Sequence, residues 1–548
     1  MVARAAAKDI VFDATSRRKM QDGINKVADA VAITLGPRGR NVVLDQSYGT
    51  PQVVNDGVSI ARAIELEDPA ENAGAQLIKE VAGKTNDLAG DGTTTATVLA
   101  RELIRLGLQQ VSSGVNPVSL KRGMDRACAF AVSELKRRAR AVQGDADIRA
   151  VASISAGNDE AVGAMIAEAF AAVGVDGVIS IESGRALETT VEVQQGMSVD
   201  RGFLSPHFAA PGAGEQAHGP AAELVNPLVL VTDARMESAR DCVPLLEAAS
   251  KAGRALLIIA DDVGSEALAT LLVNRLRGVV QVCAIKAPGF GDRRKALLED
   301  IAVVVGAEFL SKDLGFRLDQ VQLEQLGQAR TVTVTANKTT LVAGAGDPDL
   351  VRARAEGLRR ELAGAESDYD AEKLQERIAR LVGGVAVVKV GAATEAELED
   401  RKLRIEDAKN ATVAAVEEGV VPGGGAAGGG AALLHLSELL EGFARELEQP
   451  EERQGALIVR QALLAPARAI ADNAGVEGEV VVAKVLGQSW ETGYDAARDE
   501  VADLLSRGIM DPAKVTRSGL QHACSIAGIM LTTQALMTEK PKKKAGAA

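Results

Sequence analysis

Between residues 228 and 285 the chain alternates short apolar runs with helical patterns, over 228–231, 241–252, 255–260, 266–277 and 279–285. That order predicts strand, helix, strand, helix, strand. Such a series is a parallel α/β unit, because parallel neighbours need a crossover long enough to hold a helix. The flanking text is different. Met20, Ile24, Val27, Val31 and Leu35 recur every three or four residues, which marks one face of a helix, and Gly36-Pro37 stops it. Longer helical stretches follow over 69–88 and 93–108, and the C-terminal part returns to Ala-rich helix up to about residue 537. Two similar ends around a dissimilar middle predict a central insertion in a helical domain, with the N- and C-terminal thirds folding together.

Smaller elements fill in the plan. The runs 41–44 and 52–54 are short and β-prone, and 331–335 and 339–342 flank Ala336-Asn337-Lys338 as a hairpin. A charged helix over 369–381 keeps Leu374, Ile378 and Leu381 on one face before Gly383-Gly384. From Val385 a strand leads into a charged helix over 395–418.

At 548 residues, two or three domains are expected. Apolar residues make up 47% but aromatics only 2%, so the cores must be packed from Ala, Val, Leu and Ile. A net charge of −13 excludes a general nucleic-acid binder, which needs a basic face. Cys128, Cys242, Cys283 and Cys524 show no C-x-x-C spacing and read as reduced thiols, not a zinc site or a disulfide framework. No stretch reads as a membrane span and residues 1–8 lack an apolar signal core, so no membrane partner and a cytoplasmic location are expected. The Lys-rich stretch 540–548 reads as a flexible tail.

Two Asp-Gly pairs, Asp56-Gly57 and Asp91-Gly92, stand just before helical sequence. A loop of this kind can aim backbone N–H groups and a helix dipole at phosphate, while the carboxylate takes Mg2+ and the hydroxyls of Thr93, Thr94 and Thr95 add donors. The ordinary alternative stays open, since Asp-Gly is a common turn and Asp or Thr a common helix cap. Two other motifs fail. Gly83-Lys84-Thr85 lacks the upstream glycine of a phosphate loop, Ile78 standing there, and residues 423–428 match G-x-G-x-x-G by glycine content alone after Pro422. The four histidines show no ligand spacing, and Asp407, in a charged helical stretch, reads on its own as part of a solvated face.

Four segments then fall together: 34–45 (TLGPRGRNVVLD), 90–97 (GDGTTTAT), 286–294 (KAPGFGDRR) and 415–421 (AVEEGVV). In this order they closely resemble group I chaperonins, the GroEL family, and the similarity runs from about residue 6 to residue 538. The resemblance implies a multidomain fold: a mainly α equatorial domain, a small α/β intermediate domain and an α/β apical domain inserted in the middle. Its segments would be 1–137 and 418–539 equatorial, 138–194 and 386–417 intermediate, and 195–385 apical. It further implies an ATPase coupled to protein folding, built as two stacked seven-membered rings of identical subunits. The rings would enclose non-native polypeptides under a co-chaperonin lid, with ATP, Mg2+ and K+ as cofactors.

Carried over by motif, Thr34, Leu35, Gly36, Pro37, Gly92, Thr93, Thr94 and Thr95 would surround the phosphates, with Asp91 as metal ligand. Gly424, Asp495, Ala496 and Asp511 would line the ribose and base, and Asn55 lies beside the phosphates where lysine is common in the family. Asp407, helped by Asp56, would position or deprotonate the attacking water. Phe203, Phe208, Val243, Leu246, Leu268, Leu272 and Val273 match the apical groove that takes client chains, and Arg404 and Asp159 match a latch pair. Asp495 stands where asparagine is frequent, His207 replaces an aromatic and Val243 a larger aliphatic. These departures mark a specialised member.

Overall fold

The computed structural model describes residues 8–12, 14–45, 51–174, 177–184, 186–194, 196–209, 221–314, 316, 318–363, 367–423 and 430–539. They form two compact units, one from Met1–Ala167 with Ala392–Ala548 and one from Glu168–Gly391.

The first unit is helical. Asp68 caps Pro69–Ala89 by accepting from Ala70 N (2.8 Å), and Asn116 caps Pro117–Arg138 by accepting from Val118 N (2.9 Å), each followed by a proline whose missing N–H costs nothing there. With few aromatics the helices gain contact by approaching closely. Gly23 of Ala14–Ala32 and Gly74 of Pro69–Ala89 make one such crossing: a Cβ on Gly23 would stand 1.9 Å from Glu71 O, and one on Gly74 2.0 Å from Met20 O. Gly123 of Pro117–Arg138 and Gly455 of Pro450–Ala462 repeat the device, at 2.0 Å from Glu452 O and 2.2 Å from Leu120 O. Backbone lies against backbone at both crossings, so only glycine fits. Strand Lys8–Val11 pairs antiparallel with Leu536–Glu539, which ties the two ends of the chain together. Val42–Leu44 and Gln52–Val54 form a hairpin, and Val420–Pro422 pairs with Met510–Pro512.

The second unit is α/β. Leu256–Ala260 lies between Leu228–Val231 and Val282–Lys286, parallel to both, with Leu256 opposite Leu228 and Val282. Helices Ala239–Ala252 and Ser265–Leu276 make the crossovers. The central strand is buried along its whole length, as a strand covered on both faces must be. Gly327–Val334 continues the sheet antiparallel to Leu228–Val231 and pairs with Thr339–Gly344 through the Thr335–Lys338 turn, and Ala222–Val225 and Gly196–Val199 complete seven strands. In a smaller sheet Val385–Val390 runs parallel to Val178–Ser183 and antiparallel to Thr190–Gln194. Leu374, Ile378 and Leu381 pack on the core of the unit, as their spacing predicts. The helix expected over 93–108 extends to Ser112.

Candidate functional site

The helices Pro69–Ala89 and Thr93–Ser112 are separated by three residues, and the backbone there is unusual. Gly90 ends the first helix at φ 69° and Gly92 begins the second at φ 76°, both left-handed, so Asp91 is held between two positions that favour glycine. Neither glycine can take a side chain: a Cβ on Gly90 would meet Asn410 Cβ at 2.5 Å, and one on Gly92 would meet Val515 Cγ1 at 2.4 Å. Asp91 Oδ2 accepts from the Ser155 hydroxyl at 2.8 Å, and Oδ1 from Gly92 N. The N-terminus of Thr93–Ser112 has no side-chain cap, so its donors are not taken up by a capping residue of the chain.

A second turn packs against the first. Asp56 caps Gly57–Ala63, accepting from Val58 N (3.2 Å), Ser59 N (3.0 Å) and Ser59 Oγ (2.8 Å), and the Thr93 hydroxyl donates to its Oδ1 at 3.3 Å. A Cβ on Gly57 would lie 2.5 Å from Thr94 Oγ1, so the two Asp-Gly turns touch face to face. Thr34 Oγ1 donates to Val31 O (2.9 Å) and stands 3.4 Å from Thr94 Oγ1, and Gly36 sits at φ 87°. The segments 34–37, 56–57 and 91–95 therefore converge.

Asp407 joins them from helix Glu395–Glu418, which clusters with the first unit. The solvated-face reading of this residue does not hold. Burial holds its carboxyl well above the usual range, and the charges of Asp56 and Asp91 push it further. Asp91 is likewise pushed up to about 7, first by burial, with Ser155 and Gly92 opposing and Asp511 and Asp56 adding to the rise. Asp511 is buried in Met510–Pro512, opposite Val421. Asp495 and Ala496 are buried too, Ala496 in one cluster with Leu35 and Val98, and Arg38 Nη2 donates to Ala497 O at 3.2 Å. Asn55 is half-buried beside Asp56, and Gly424 and the tail 540–548 lie outside the described residues. Ser155, Asn410, Arg38 and Arg507 were not legible as site residues. Ser155 and Asn410 come from segments far from the Asp91 turn, Arg507 comes from beyond the next strand, and Arg38, although inside the 34–45 motif, gave no sign of its bond to Ala497 O.

Among the described residues no group of three or more His, Cys, Asp or Glu is close enough to enclose a metal ion. The donor set instead suits a cation that brings its own oxygens: one hydroxyl-supported carboxylate, Asp91, with two more carboxylates nearby. This is how Mg2+ is held with phosphate and water.

The raised carboxyls give a pH signature. Folded pKa values above unfolded ones mean that the folded state holds more protons, so stability is present at low pH and falls as pH rises between about 4 and about 7. In chelator, the melting temperature should fall across that window, and Asp91→Asn should flatten the slope. A rising slope would contradict the burial of these groups.

The matches to known proteins agree with this architecture. Residues 27–541 match the model of the TCP-1/cpn60 chaperonin family. The chain belongs to that family. The chaperonin is 62% identical over 543 residues to the RuBisCO large subunit-binding protein subunit alpha, chloroplastic, of Chlamydomonas reinhardtii, covering 99% of this chain and 92% of that protein. It is 57% identical over 545 residues to chaperonin 60 subunit alpha 1, chloroplastic, of Arabidopsis thaliana, covering 100% and 91%. A solved structure, the chaperonin gp146 of bacteriophage EL in presence of ATP-BeFx, superposes with a TM-score of 0.68 at 23% identity, over 97% of this chain and 99% of that one, and shows the shared fold.

The fold is thus a mainly α equatorial domain, a small α/β intermediate domain and an inserted α/β apical domain, and the work of the chaperonin is the folding of other polypeptides. The cytoplasmic expectation is corrected by these relatives, which are chloroplastic. An acidic balance and reduced thiols describe a plastid protein as well as a cytosolic one, so composition carried no information about the compartment.

The expected client residues divide. Val243 and Val273 are exposed, at 42% and 44%, on helices Ala239–Ala252 and Ser265–Leu276, while Phe203, Leu268 and Leu272 are half-buried against the core. Phe208 and Leu246 are core residues and offer no surface, which corrects their assignment: the sheet takes the same apolar faces that a groove would need. Leu276, 69% exposed and four residues beyond Leu272, extends the apolar stripe and was not anticipated.

Proposed function

We propose that this chaperonin hydrolyses ATP at the Asp91 turn and uses the cycle to enclose and release non-native chains under a co-chaperonin lid. The observation that carries the reading is the convergence of Asp56, Asp91 and Asp407 on the uncapped start of helix Thr93–Ser112. Thr34 to Pro37 and Gly92 to Thr95 would cradle the phosphates, with Asn55 beside them. Asp511, Asp495, Ala496 and Gly424 would line the ribose and base. Phosphoryl transfer asks for positioning and charge neutralisation more than covalent chemistry. Mg2+, held by Asp91, would supply that neutralisation, and K+ is the second ion implied by the resemblance.

Asp407 has the raised basicity suited to orienting a water and accepting its proton, while Asp56 is committed to its cap and to Thr93. In the apical domain Val243, Val273 and Leu276, with Phe203, Leu268 and Leu272 beneath them, would take apolar segments of a client. The segment divisions 1–137 with 418–539, 138–194 with 386–417, and 195–385 remain part of this proposal, as do the double ring of seven subunits and a plastid location. The relatives' names add the RuBisCO large subunit as the client to try first.

The test is ATP turnover and recovery of a chemically denatured client by the assembled chain, with and without a co-chaperonin. Turnover that depends on Mg2+ and refolding that depends on ATP are expected. Client capture without measurable turnover would instead show a binding scaffold.

A further inference from the structure

Asp495 is a negative charge where the proposed site must receive a polyanion. Its side chain is nearly buried, 5% exposed, at the end of strand Thr492–Asp495. Oδ1 accepts from Ala497 N at 3.1 Å and Arg498 N at 3.2 Å, and Oδ2 accepts from Arg507 Nη1 at 3.2 Å. Arg507 comes from beyond the next strand, and its guanidinium also pairs with Glu500, which is exposed. The turn is stitched to the phosphate-side segment by Arg38 on Ala497 O and by Ala496 packed with Leu35 and Val98.

We infer that Arg507 is a positioning residue for nucleotide affinity. It neutralises Asp495, so that the nucleotide meets a locked, compensated turn and not a bare carboxylate. The inference rests on the placement of Asp495 at the nucleotide proposed above. Two backbone N–H groups fix the geometry of the carboxylate but leave its charge, and within the described turn Arg507 supplies the cation bonded to it. Glu500 shares the same Nη1 of Arg507, but its carboxylate is exposed to water and screened while that of Asp495 is buried. A buried charge left without its partner acts over a longer range than an exposed one, and at about 10 Å in a protein environment it is worth roughly tenfold in the binding of another charge.

The test is a series in the assembled full chain: parent, Arg507→Met, Arg507→Lys and the double variant Asp495→Asn with Arg507→Met. KM and kcat for ATP are measured for each, together with melting in the absence of nucleotide. Arg507→Met should raise KM about tenfold and leave kcat within about twofold. Arg507→Lys should keep most of the affinity, and the double variant should recover most of what Arg507→Met loses. A KM unchanged in Arg507→Met, or a double variant no better than the single one, overturns the inference. The same holds if melting and kcat fall in step with affinity, since that pattern belongs to a structural role. Unaltered KM across the series with normal parent turnover overturns the charge pair and leaves the ATPase reading standing, whereas a parent without ATP turnover overturns both.

Discussion

Asp407→Ala is expected to leave ATP binding intact and to slow hydrolysis by about a thousandfold, the scale of a lost general base. The three carboxylates of the site are not equivalent. Asp56 accepts from two backbone N–H groups and two hydroxyls, which commits it to holding the turn. Asp91 is held by one donor on each oxygen, the Ser155 hydroxyl and Gly92 N. Asp407 has its carboxyl raised well above the usual range, by burial first and then by the charges of Asp56 and Asp91, and it stands on a helix applied to the turn through Asn410. Single-turnover hydrolysis and nucleotide binding, measured separately, check the division. Because Asp407 lies near two like charges, its removal should leave the nucleotide-free protein no less stable near neutral pH. Equal turnover in parent and variant would remove its role with water. Lost binding with unchanged hydrolysis of bound ATP would make it a ligand instead.

Gly123→Val should destabilise the equatorial unit by about 3 to 5 kcal/mol, and Gly74→Val by a similar amount. In each case the new side chain meets a backbone carbonyl of the facing helix, at 2.0 Å from Cβ in both, and neither carbonyl belongs to a flexible group that can step aside. The helices must separate, and the loss spreads over the whole crossing. Gly442 is the control. It lies in helix Ala431–Glu446 with nothing within 4 Å of a built Cβ, so Gly442→Ala should be neutral or stabilise by up to about 1 kcal/mol through helix propensity. Denaturant midpoints of the three variants decide the matter, and equal midpoints for Gly123→Val and Gly442→Ala would refute the close-crossing account.

Much of the architecture was legible because periodicity is local. The i, i+3 and i+4 spacing from Met20, the buried runs 228–231 and 255–260, and the stop at Gly383-Gly384 reflect contacts within one element, and the elements form there, although the first helix ends at Ala32, short of Leu35 and Gly36-Pro37. The motif segments also pointed to the right loops. By itself, however, the acidic turn at residues 90–95 was as consistent with a helix cap as with a phosphate site.

Burial and partnership were decided only by the tertiary structure, because they depend on which distant segments meet. Phe208 and Leu246, placed in the client groove by the resemblance, are core residues, as the helical sequence around Leu246 reads when taken alone. Asp407, which on its own reads as part of a solvated face, is half-buried with the charges of Asp56 and Asp91 acting on its carboxyl. Ser155 reaches Asp91 across 64 residues and Arg507 reaches Asp495 around a strand turn, pairings that no periodicity encodes. The sequence by itself determined the elements, the two-part plan and the family. The carboxylate electrostatics, the charge compensation of Asp495 and the division of the client face came from the packing, since a pKa or an exposure belongs to a side chain's surroundings and not to its neighbours along the chain.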